Sequence, residues 1–456
     1  MSRLVSVPGG GTHDLDGVHR SVVVIGGGQA GLSMSHCLTR GGVDHLVLER
    51  GTLANEWRDR RWDSFCLVTP NWQCALPGFG YDGTDPDGFM PRDEIVAYLR
   101  RYAESFRPPL VEGVEVTRLR TDGTGRFAVT TGAGTLTADQ VVVATGPYQV
   151  PLTPRVAERL PDDITQVHSS GYRNPEQLPA GAVLVVGTGQ SGCQIAEDLH
   201  LAGRTVHLAT GSAPRVARRY RGRDVVDWLD DMGYYRRSID EFDDADAVRM
   251  RANHYVTGRD GGRDIDLRAF AAQGMRLHGR LAGIGAGTAA FAGDLRANLD
   301  AADRVSESIK DSIDTHIAAR GLDAPTEARY VPVWEPADDG PTSVDLAAEG
   351  ITSVVWCTGF GRDNRWIDLP VFDGRGYPAH HRGETSFPGL YFLGLPWQWT
   401  WGSGRFCGVA GDAEHLAERI AARAGTTADF EVPWLSGTPD STWPGADEWT
   451  APRTVA

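Results

Sequence analysis

Short runs of branched apolar residues, each closed by glycine, punctuate the chain. They include Val22-Val23-Val24-Ile25, Val141-Val142-Val143-Ala144, Val183-Leu184-Val185-Val186 and Val354-Val355-Trp356. None has a polar face, so each predicts a strand buried on both sides in a parallel sheet. Val114 to Leu119, Phe127 to Thr131 and Thr135 to Thr137 alternate instead, as antiparallel strands with Gly-rich turns do. Helices are predicted where apolar residues recur three or four apart. One opens at Met90-Pro91-Arg92-Asp93-Glu94 and carries Ile95, Tyr98, Leu99 and Tyr102 to about Phe106. Another runs from Asp294 to Arg320 on Leu295, Leu299, Val305, Ile309, Ile313 and Ile317, and a last one from about Phe406 to Arg423. Residues 220–290 are less periodic: Asp224 to Met232 reads as helix, Asp240 to Asp246 as a solvated acidic face, and Leu277 to Gly287 as strand or loop.

Two apolar runs lead directly into the same spacing of glycines. After Ile25 comes G-x-G-x-x-G on Gly26, Gly28 and Gly31, with Gln29 and Ala30 inside it; after Val186 comes Gly187, Gly189 and Gly192, with Gln190 and Ser191 inside it. The first glycine permits the tight turn, the second lets backbone approach a pyrophosphate, and the third lets the helix lie close to the sheet. The helix N-terminus then offers unpaired N–H groups and partial positive charge to phosphate. Two such units predict an α/β fold with two Rossmann-like dinucleotide-binding domains. Their second strands end differently. His45-Leu46-Val47-Leu48 ends on Glu49, followed by Arg50, and a carboxylate there accepts hydrogen bonds from ribose hydroxyls. Thr205 to Ala209 ends without an acid, and Ser212, Arg215, Arg218 and Arg219 follow. That ending favours a 2′-phosphate, hence NADPH over NADH, with the plainer alternative that the arginines form a solvated basic face.

Composition narrows the partners. The chain has 456 residues, 41% apolar and 23% charged, with a net charge of −15. That length suits two or three domains. The negative charge disfavours nucleic acid and anionic membrane. No apolar run is long enough to span a bilayer, and residues 1–20 lack a charged-then-apolar signal pattern, so a cytoplasmic protein is expected. The cysteines at 37, 66, 74, 193, 357 and 407 include no Cys-x-x-Cys, which points to buried thiols in a reducing compartment. Lys310 is the only lysine, on a helical segment expected to be exposed. No metal site is expected.

Five features together resemble the class B flavin-containing monooxygenases, which include plant YUCCA-type, N-hydroxylating and Baeyer–Villiger enzymes. They are the two glycine motifs, with Ala144-Thr145-Gly146 between them; the Trp57-Arg58…Trp62-Asp63-Ser64…Thr69-Pro70 segment; His168-x-x-x-Tyr172; Cys357-Thr358-Gly359-Phe360; and Gly394 followed by Trp401-Gly402-Ser403-Gly404-Arg405-Phe406. The His168 element matches the latter half of the family fingerprint F-x-G-x-x-x-H-x-x-x-(F/Y/W), while Asp162 and Ile164 replace its Phe and Gly. The resemblance covers roughly residues 20–215 and 350–425.

The resemblance implies FAD at the first unit and NADPH at the second. Residues 21–150 and 350–425 would form a discontinuous FAD domain, and 151–349 an inserted NADPH domain with a helical insertion. Residues 1–20 would be a flexible leader and 426–456 a Pro/Trp-rich tail. NADPH would reduce FAD, the reduced flavin would react with O2 at C4a, and the oxygen would pass to a small organic substrate by N/S oxygenation or Baeyer–Villiger insertion. Gly26, Gly28, Gln29, Ala30 and Gly31 would hold the FAD pyrophosphate, with Glu49 and Arg50 by the ribose. Trp57, Arg58 and Thr69 would lie along the flavin, beside the strand ends Ala144, Thr145, Gly146, Thr358 and Gly359. Gly394, Trp401 and Gly402, with the following helix, would meet the pyrimidine edge. Gly187, Gly189, Gln190, Ser191 and Gly192 would hold the NADPH pyrophosphate. Asn71 and His168 are the catalytic candidates, Asn71 as an amide near flavin N5 and His168 at the NADPH interface. Against these stand a turn-forming Asn71 and a structural His168.

Trp397, Trp399 and Trp401 would share one side of an extended segment, either as a substrate wall or as interdomain packing. Arg405 would either bind an acidic substrate or pair with an Asp of the framework, and the structural pairing is the favoured expectation. The competing readings are an FAD-dependent NAD(P)H reductase or dehydrogenase passing electrons to a small or protein acceptor, and a flavin-binding sensor without turnover. The assembly left open is a homodimer.

Overall fold

The computed structural model describes residues 14–338 and 340–424. Its centre is two parallel sheets built from the apolar runs. In the first, Leu390–Phe392, Gly134–Val143, His19–Ile25, His45–Glu49 and Leu110–Glu112 are parallel neighbours, with Val24 in register with both Val47 and Val142. Val22, Val23 and Val24 have no exposed surface, and each such side chain contributes about 1.5–3 kcal/mol relative to exposure. Helices Gln29–Arg40, Arg92–Phe106 and Val409–Arg423 share one core with one face of this sheet. Val116–Thr121 and Phe127–Thr131 form an antiparallel meander on Gly134–Val143. The apolar positions at 135–137 and 140–143, expected as two strands, form this one strand because both pair with His19–Ile25 without a break in direction.

The second sheet orders Arg276–His278, Val206–Ala209, Ala182–Val186, Ile351–Trp356 and Thr165–His168, all parallel. Ile351–Trp356 is a correction: expected in the FAD unit, it pairs with Ala182–Val186 and Thr165–His168 instead. A fully apolar strand reads the same in either sheet, so sequence could not place it.

The 277–287 stretch resolves into the sheet strand Arg276–His278 and the hairpin strand Leu281–Gly285. Helix Leu295–Arg320 buries Leu299, Val305, Ile309, Ile313 and Ile317 as its period predicts. Lys310 lies beside that stripe and is buried, not exposed: its Nζ is 2.8 Å from Glu307 and 5.4 Å from the Tyr220 ring centroid. The leader is shorter than expected, since Leu15 packs in the core under the first sheet and His19 begins a strand. Residues 1–13 and the tail 426–456 lie outside the described residues. No described helix is long and apolar enough to cross a membrane.

Candidate functional site

Each glycine motif is welded to the strand beside it and open where a ligand would lie. At the first turn, Gly26 N–H donates to Leu48 O at 2.8 Å, and Ala144 N–H donates to Ile25 O at 2.8 Å. A Cβ on Gly26 would meet Ala144 O at 2.5 Å, while one on Gly31 would strike the Gly26 carbonyl. A Cβ on Gly28 would meet nothing within 4 Å. The second turn repeats this in every part. Gly187 N–H donates to Ala209 O at 3.0 Å and Cys357 N–H to Val186 O at 2.9 Å. A Cβ on Gly187 would meet Cys357 O at 2.7 Å, one on Gly192 would strike the Gly187 carbonyl, and Gly189 is open.

Cys357-Thr358-Gly359 is therefore the counterpart of Ala144-Thr145-Gly146 at the second turn, not part of the first unit. Neither helix N-terminus is capped by a side chain at Gly28 or Gly189. An open backbone facing uncapped N–H groups suits a pyrophosphate.

The acid predicted for the ribose, Glu49, stands beside the first turn. It accepts from Gly27 N–H at 2.7 Å and Gly51 N–H at 2.8 Å. At the equivalent place in the second unit, Thr188 Oγ1 accepts from Gly211 N–H at 2.8 Å, with no carboxylate. Arg50 pairs with Glu56 at 2.9 Å and Arg58 with Asp59 at 2.7 Å.

A hydrogen-bond chain ties the remaining segments around the first turn together. Trp57 Nε1–H donates to Gln29 Oε1 at 3.1 Å, and Gln29 Nε2–H donates to Gly404 O at 3.1 Å. Trp57 also stacks on Phe406, with centroids 5.6 Å apart. A Cβ on Gly394 would sit 2.9 Å from the Ala30 side chain, so the late segment closes over the first helix start. Thr69 is half-buried in the same loop. The crossover is fixed by Gln149, whose Nε2 donates to Thr145 Oγ1 at 3.1 Å and Gly146 O at 3.0 Å. Arg61 was missed: its guanidinium lies 5.3 to 5.6 Å from the centroids of Trp57, Phe65 and Tyr148, between that loop and the crossover. Its place in Trp57-Arg58-Asp59-Arg60-Arg61-Trp62 was the available signal.

The two catalytic candidates act on the framework. Asn71 is buried; its Nδ2–H donates to Asp85 O at 2.9 Å and its Oδ1 accepts from Met90 N–H at 2.9 Å. Both ends of the amide hold the 85–90 loop, which favours the turn-forming role. His168 Nε2 lies 3.0 Å from Gly359 O, and Nδ1 is 3.2 Å from Ser170 N–H. Only the tautomer protonated at Nε2 satisfies both contacts. Burial lowers its pKa from the ordinary value. His168 thus stays neutral and positions the Thr358-Gly359 strand end. Tyr172 is buried and donates to Asp198 Oδ2 at 2.8 Å.

Four further expectations are corrected. Arg215 is buried against Asp303 at 3.0 Å and stacks 3.9 Å from the Tyr330 centroid. Arg218 is buried against Asp224 at 2.5 Å. Neither guanidinium is free for a 2′-phosphate; Ser212 and Arg219 remain exposed. Gln190 Nε2–H donates to Val256 O at 2.5 Å, leaving its backbone and Ser191 as phosphate contacts. The Trp397–Trp401 segment is a series of turns, with Trp397 at φ 51°, not an extended strand. The three indoles still meet one cluster, with Ile239, Phe242 and Val248 of the insertion. Arg405 pairs with no carboxylate among the described residues; it donates to Asn253 Oδ1 at 2.8 Å and to Trp401 O.

Two matched nucleotide turns, joined by paired crossovers at Val150–Pro151 and Phe360–Gly361, define a flavoprotein with two dinucleotide sites that uses FAD and NADPH. The chain belongs to the pyridine nucleotide-disulphide oxidoreductase family, which residues 23–260 match. An uncharacterized CzcO-like oxidoreductase of Geobacillus kaustophilus is 34% identical over 405 residues, 88% of this chain and 97% of that protein. A Baeyer–Villiger monooxygenase of Streptomyces coelicolor is 34% identical over 188 residues, 40% of this chain and 36% of that protein. The fold matches a flavin-containing monooxygenase from Stenotrophomonas maltophilia with a TM-score of 0.61 at 20% identity, over 89% of this chain and 99% of that one.

Proposed function

We propose that the protein is an NADPH- and O2-dependent flavin monooxygenase. Substrate, O2, NADPH and a proton give the oxygenated substrate, water and NADP⁺. One oxygen atom enters a soft nitrogen or sulfur centre, or inserts beside a carbonyl. FAD, when bound, supplies hydride acceptance and oxygen activation. The chain supplies binding, orientation and dryness. The open helix start at Gly28 holds the FAD pyrophosphate with Glu49 on the ribose, and that at Gly189, with Ser191, holds the NADPH pyrophosphate. Trp57, Gly402 and the start of helix Val409–Arg423 would complete the flavin site.

The observation that carries this reading is the doubled turn and strand end, Gly26 on Ala144 and Gly187 on Cys357, at one pair of crossovers. A reductase of the thioredoxin-reductase type would need a Cys pair beside the flavin, and the six cysteines are free with no Cys-x-x-Cys. Free thiols also support a cytoplasmic location. The FAD unit is assigned to 21–150 with 357–424 and the NADPH unit to 151–356. Light scattering tests assembly as a homodimer.

The deciding experiment reduces bound flavin with NADPH without oxygen, then mixes rapidly with oxygenated buffer. A transient spectrum distinct from reduced and oxidised flavin, prolonged by NADP⁺, is expected. Direct return to oxidised flavin across pH would replace this reading with an NAD(P)H reductase.

A further inference from the structure

One short loop reaches both dinucleotide helices. It begins at the first, where Trp57 Nε1–H donates to Gln29 Oε1 in the opening turn of helix Gln29–Arg40. Five residues later Trp62 is 3% exposed and lies in the core of the second unit, with Val185, Cys193 and Ile195. Phe65 packs against the cores of both units. Between these two rings, Ser64 Oγ–H donates to Asp198 Oδ1 at 2.6 Å. Asp198 belongs to helix Gln190–Leu201, which opens at the second glycine turn. The loop is therefore a strut, held by Gln29 in one unit and by Asp198 in the other.

Asp198 is buried and collects donors from three segments. Besides Ser64, Tyr172 Oη–H donates to Oδ2 at 2.8 Å and Arg259 Nη1–H donates to Oδ1 at 2.9 Å. Tyr172 and Arg259 lie in the same unit as the helix, so they compensate the carboxylate with or without Ser64. What Ser64 adds is the tie to the other unit. Close packing does not replace that tie. Ser64, Cys66, Gln194 and Glu197 border a cavity of about 10 Å³, room for about one water. Gln194 Oε1 is buried there without a hydrogen-bond partner among the described residues. The hydrogen bond, more than side-chain packing, thus fixes the loop against the helix at this point. Asp198 lies eight residues past Gln190, about 12 Å along the helix axis. A helix is stiff over that length, so a slip at Asp198 tilts the end that faces the nucleotide.

We propose that Ser64 and Asp198 are positioning residues for hydride transfer. Their hydrogen bond sets the spacing and tilt of the NADPH-binding helix against the loop that carries Trp57 to the flavin site. Both act through the loop and the helix they join. The inference rests on the proposed placement of FAD at the first turn and NADPH at the second, and is independent of the oxygen chemistry.

The first test involves no turnover. Oxidised, FAD-loaded protein is titrated with NADP⁺, and the change this induces in flavin absorbance is followed. Ser64→Ala should shrink that change at saturation while NADP⁺ affinity moves less than about twofold. Ser64→Thr, which keeps the hydroxyl, should restore most of it. The second test mixes the same proteins with NADPH in the absence of oxygen. The limiting rate of flavin reduction should fall at least about tenfold in Ser64→Ala, since a small misplacement of reacting groups is costly in rate. Asn174→Ala cuts a different tie across the same seam, Asn174 Nδ2–H to Asp63 Oδ2 at 2.7 Å. It should lower thermal stability and leave the limiting rate within about twofold. An unchanged limiting rate in Ser64→Ala would overturn the proposal. So would an equal loss in Asn174→Ala, which would make the whole seam responsible, or a loss confined to NADP⁺ affinity. Asp198→Asn, which weakens the same bond by removing its charge, should slow reduction by a smaller factor. It carries the test if FAD stoichiometry and thermal unfolding show that Ser64→Ala does not fold. A transient flavin spectrum on oxygenation, with reduction rates unchanged in the variants, would refute the strut and leave the monooxygenase reading standing. Failure of NADPH to reduce the unaltered protein would overturn both.

Discussion

Gly26 lies directly beneath the carbonyl of Ala144: a Cβ there would come to 2.5 Å from that oxygen. Two residues on, Gly28 faces nothing within 4 Å and has φ −80°. The two glycines therefore answer to different partners, Gly26 to the protein and Gly28 to the ligand. Gly28→Ala is expected to leave apoprotein stability within about 1 kcal/mol, as an alanine at a helix N-cap does, while FAD affinity falls at least about tenfold because the methyl occupies the phosphate face. Gly31→Ala, whose Cβ would strike the Gly26 carbonyl, should cost about 1–3 kcal/mol of stability. Thermal unfolding of the apoprotein, with FAD titration by fluorescence, separates the two.

Trp57, Gln29 and Gly404 form one line of hydrogen bonds across three separate segments. Gln29→Ala removes both links and is expected to weaken FAD binding by up to about thirtyfold, at about 1 kcal/mol per neutral hydrogen bond. Trp57→Phe removes one link and keeps a ring against Phe406, so the loss should be smaller. Equal losses would mean that the indole acts through direct contact with the flavin.

Arg218 and Asp224 are 2.5 Å apart, with side chains 2% and 13% exposed. Removing the arginine leaves a buried carboxylate unpaired, which costs about 3–5 kcal/mol. Arg218→Ala should therefore lower thermal stability sharply, with little change in the preference for NADPH over NADH in the protein that remains folded. Ser212 is exposed beyond the second strand. Ser212→Glu should do the reverse, raising KM for NADPH about tenfold by repulsion of a 2′-phosphate while unfolding temperature stays put.

Asp412, in the first turn of helix Val409–Arg423, is buried, and burial pushes its carboxyl up to about 6 from the ordinary 3.8. Below about pH 4 both folded and unfolded chains hold this proton and the group is neutral to stability. Between about pH 4 and 6 the unfolded chain releases it first, so stability falls as pH rises. Above pH 6 the loss levels off, at about 3 kcal/mol at most for a shift of this size. Asp412→Asn should remove that slope. Urea unfolding at pH 4.5 and 7.5 checks it: relative to the variant, the unaltered protein should lose stability at the higher pH. An identical pH dependence in both would mean that Ser403 and Arg382 hold the carboxylate ionised throughout.

Much of this architecture is local in origin and was legible in the chain. A fully apolar run, a tight glycine turn and an amphipathic helix are each specified by residues within one element. That is why His45–Glu49, Phe127–Thr131, Ala182–Val186 and Leu295–Arg320 appear close to where periodicity puts them. The glycine motifs and Glu49 were readable for the same reason, because their spacing is their mechanism. Tertiary structure alone decided matters that depend on partners distant in sequence. Ile351–Trp356 joined the second sheet through pairing with strands more than 150 residues earlier. Arg215 and Arg218, plausible phosphate ligands by position, were claimed by Asp303 and Asp224. Asn71 was claimed by the backbone at 85 and 90, and Lys310 was drawn under Tyr220. Arg405 was expected to find a carboxylate and was left with neutral acceptors. A side chain's type fixes what it can bind, but only the packed chain fixes which of its donors and charges are already spent.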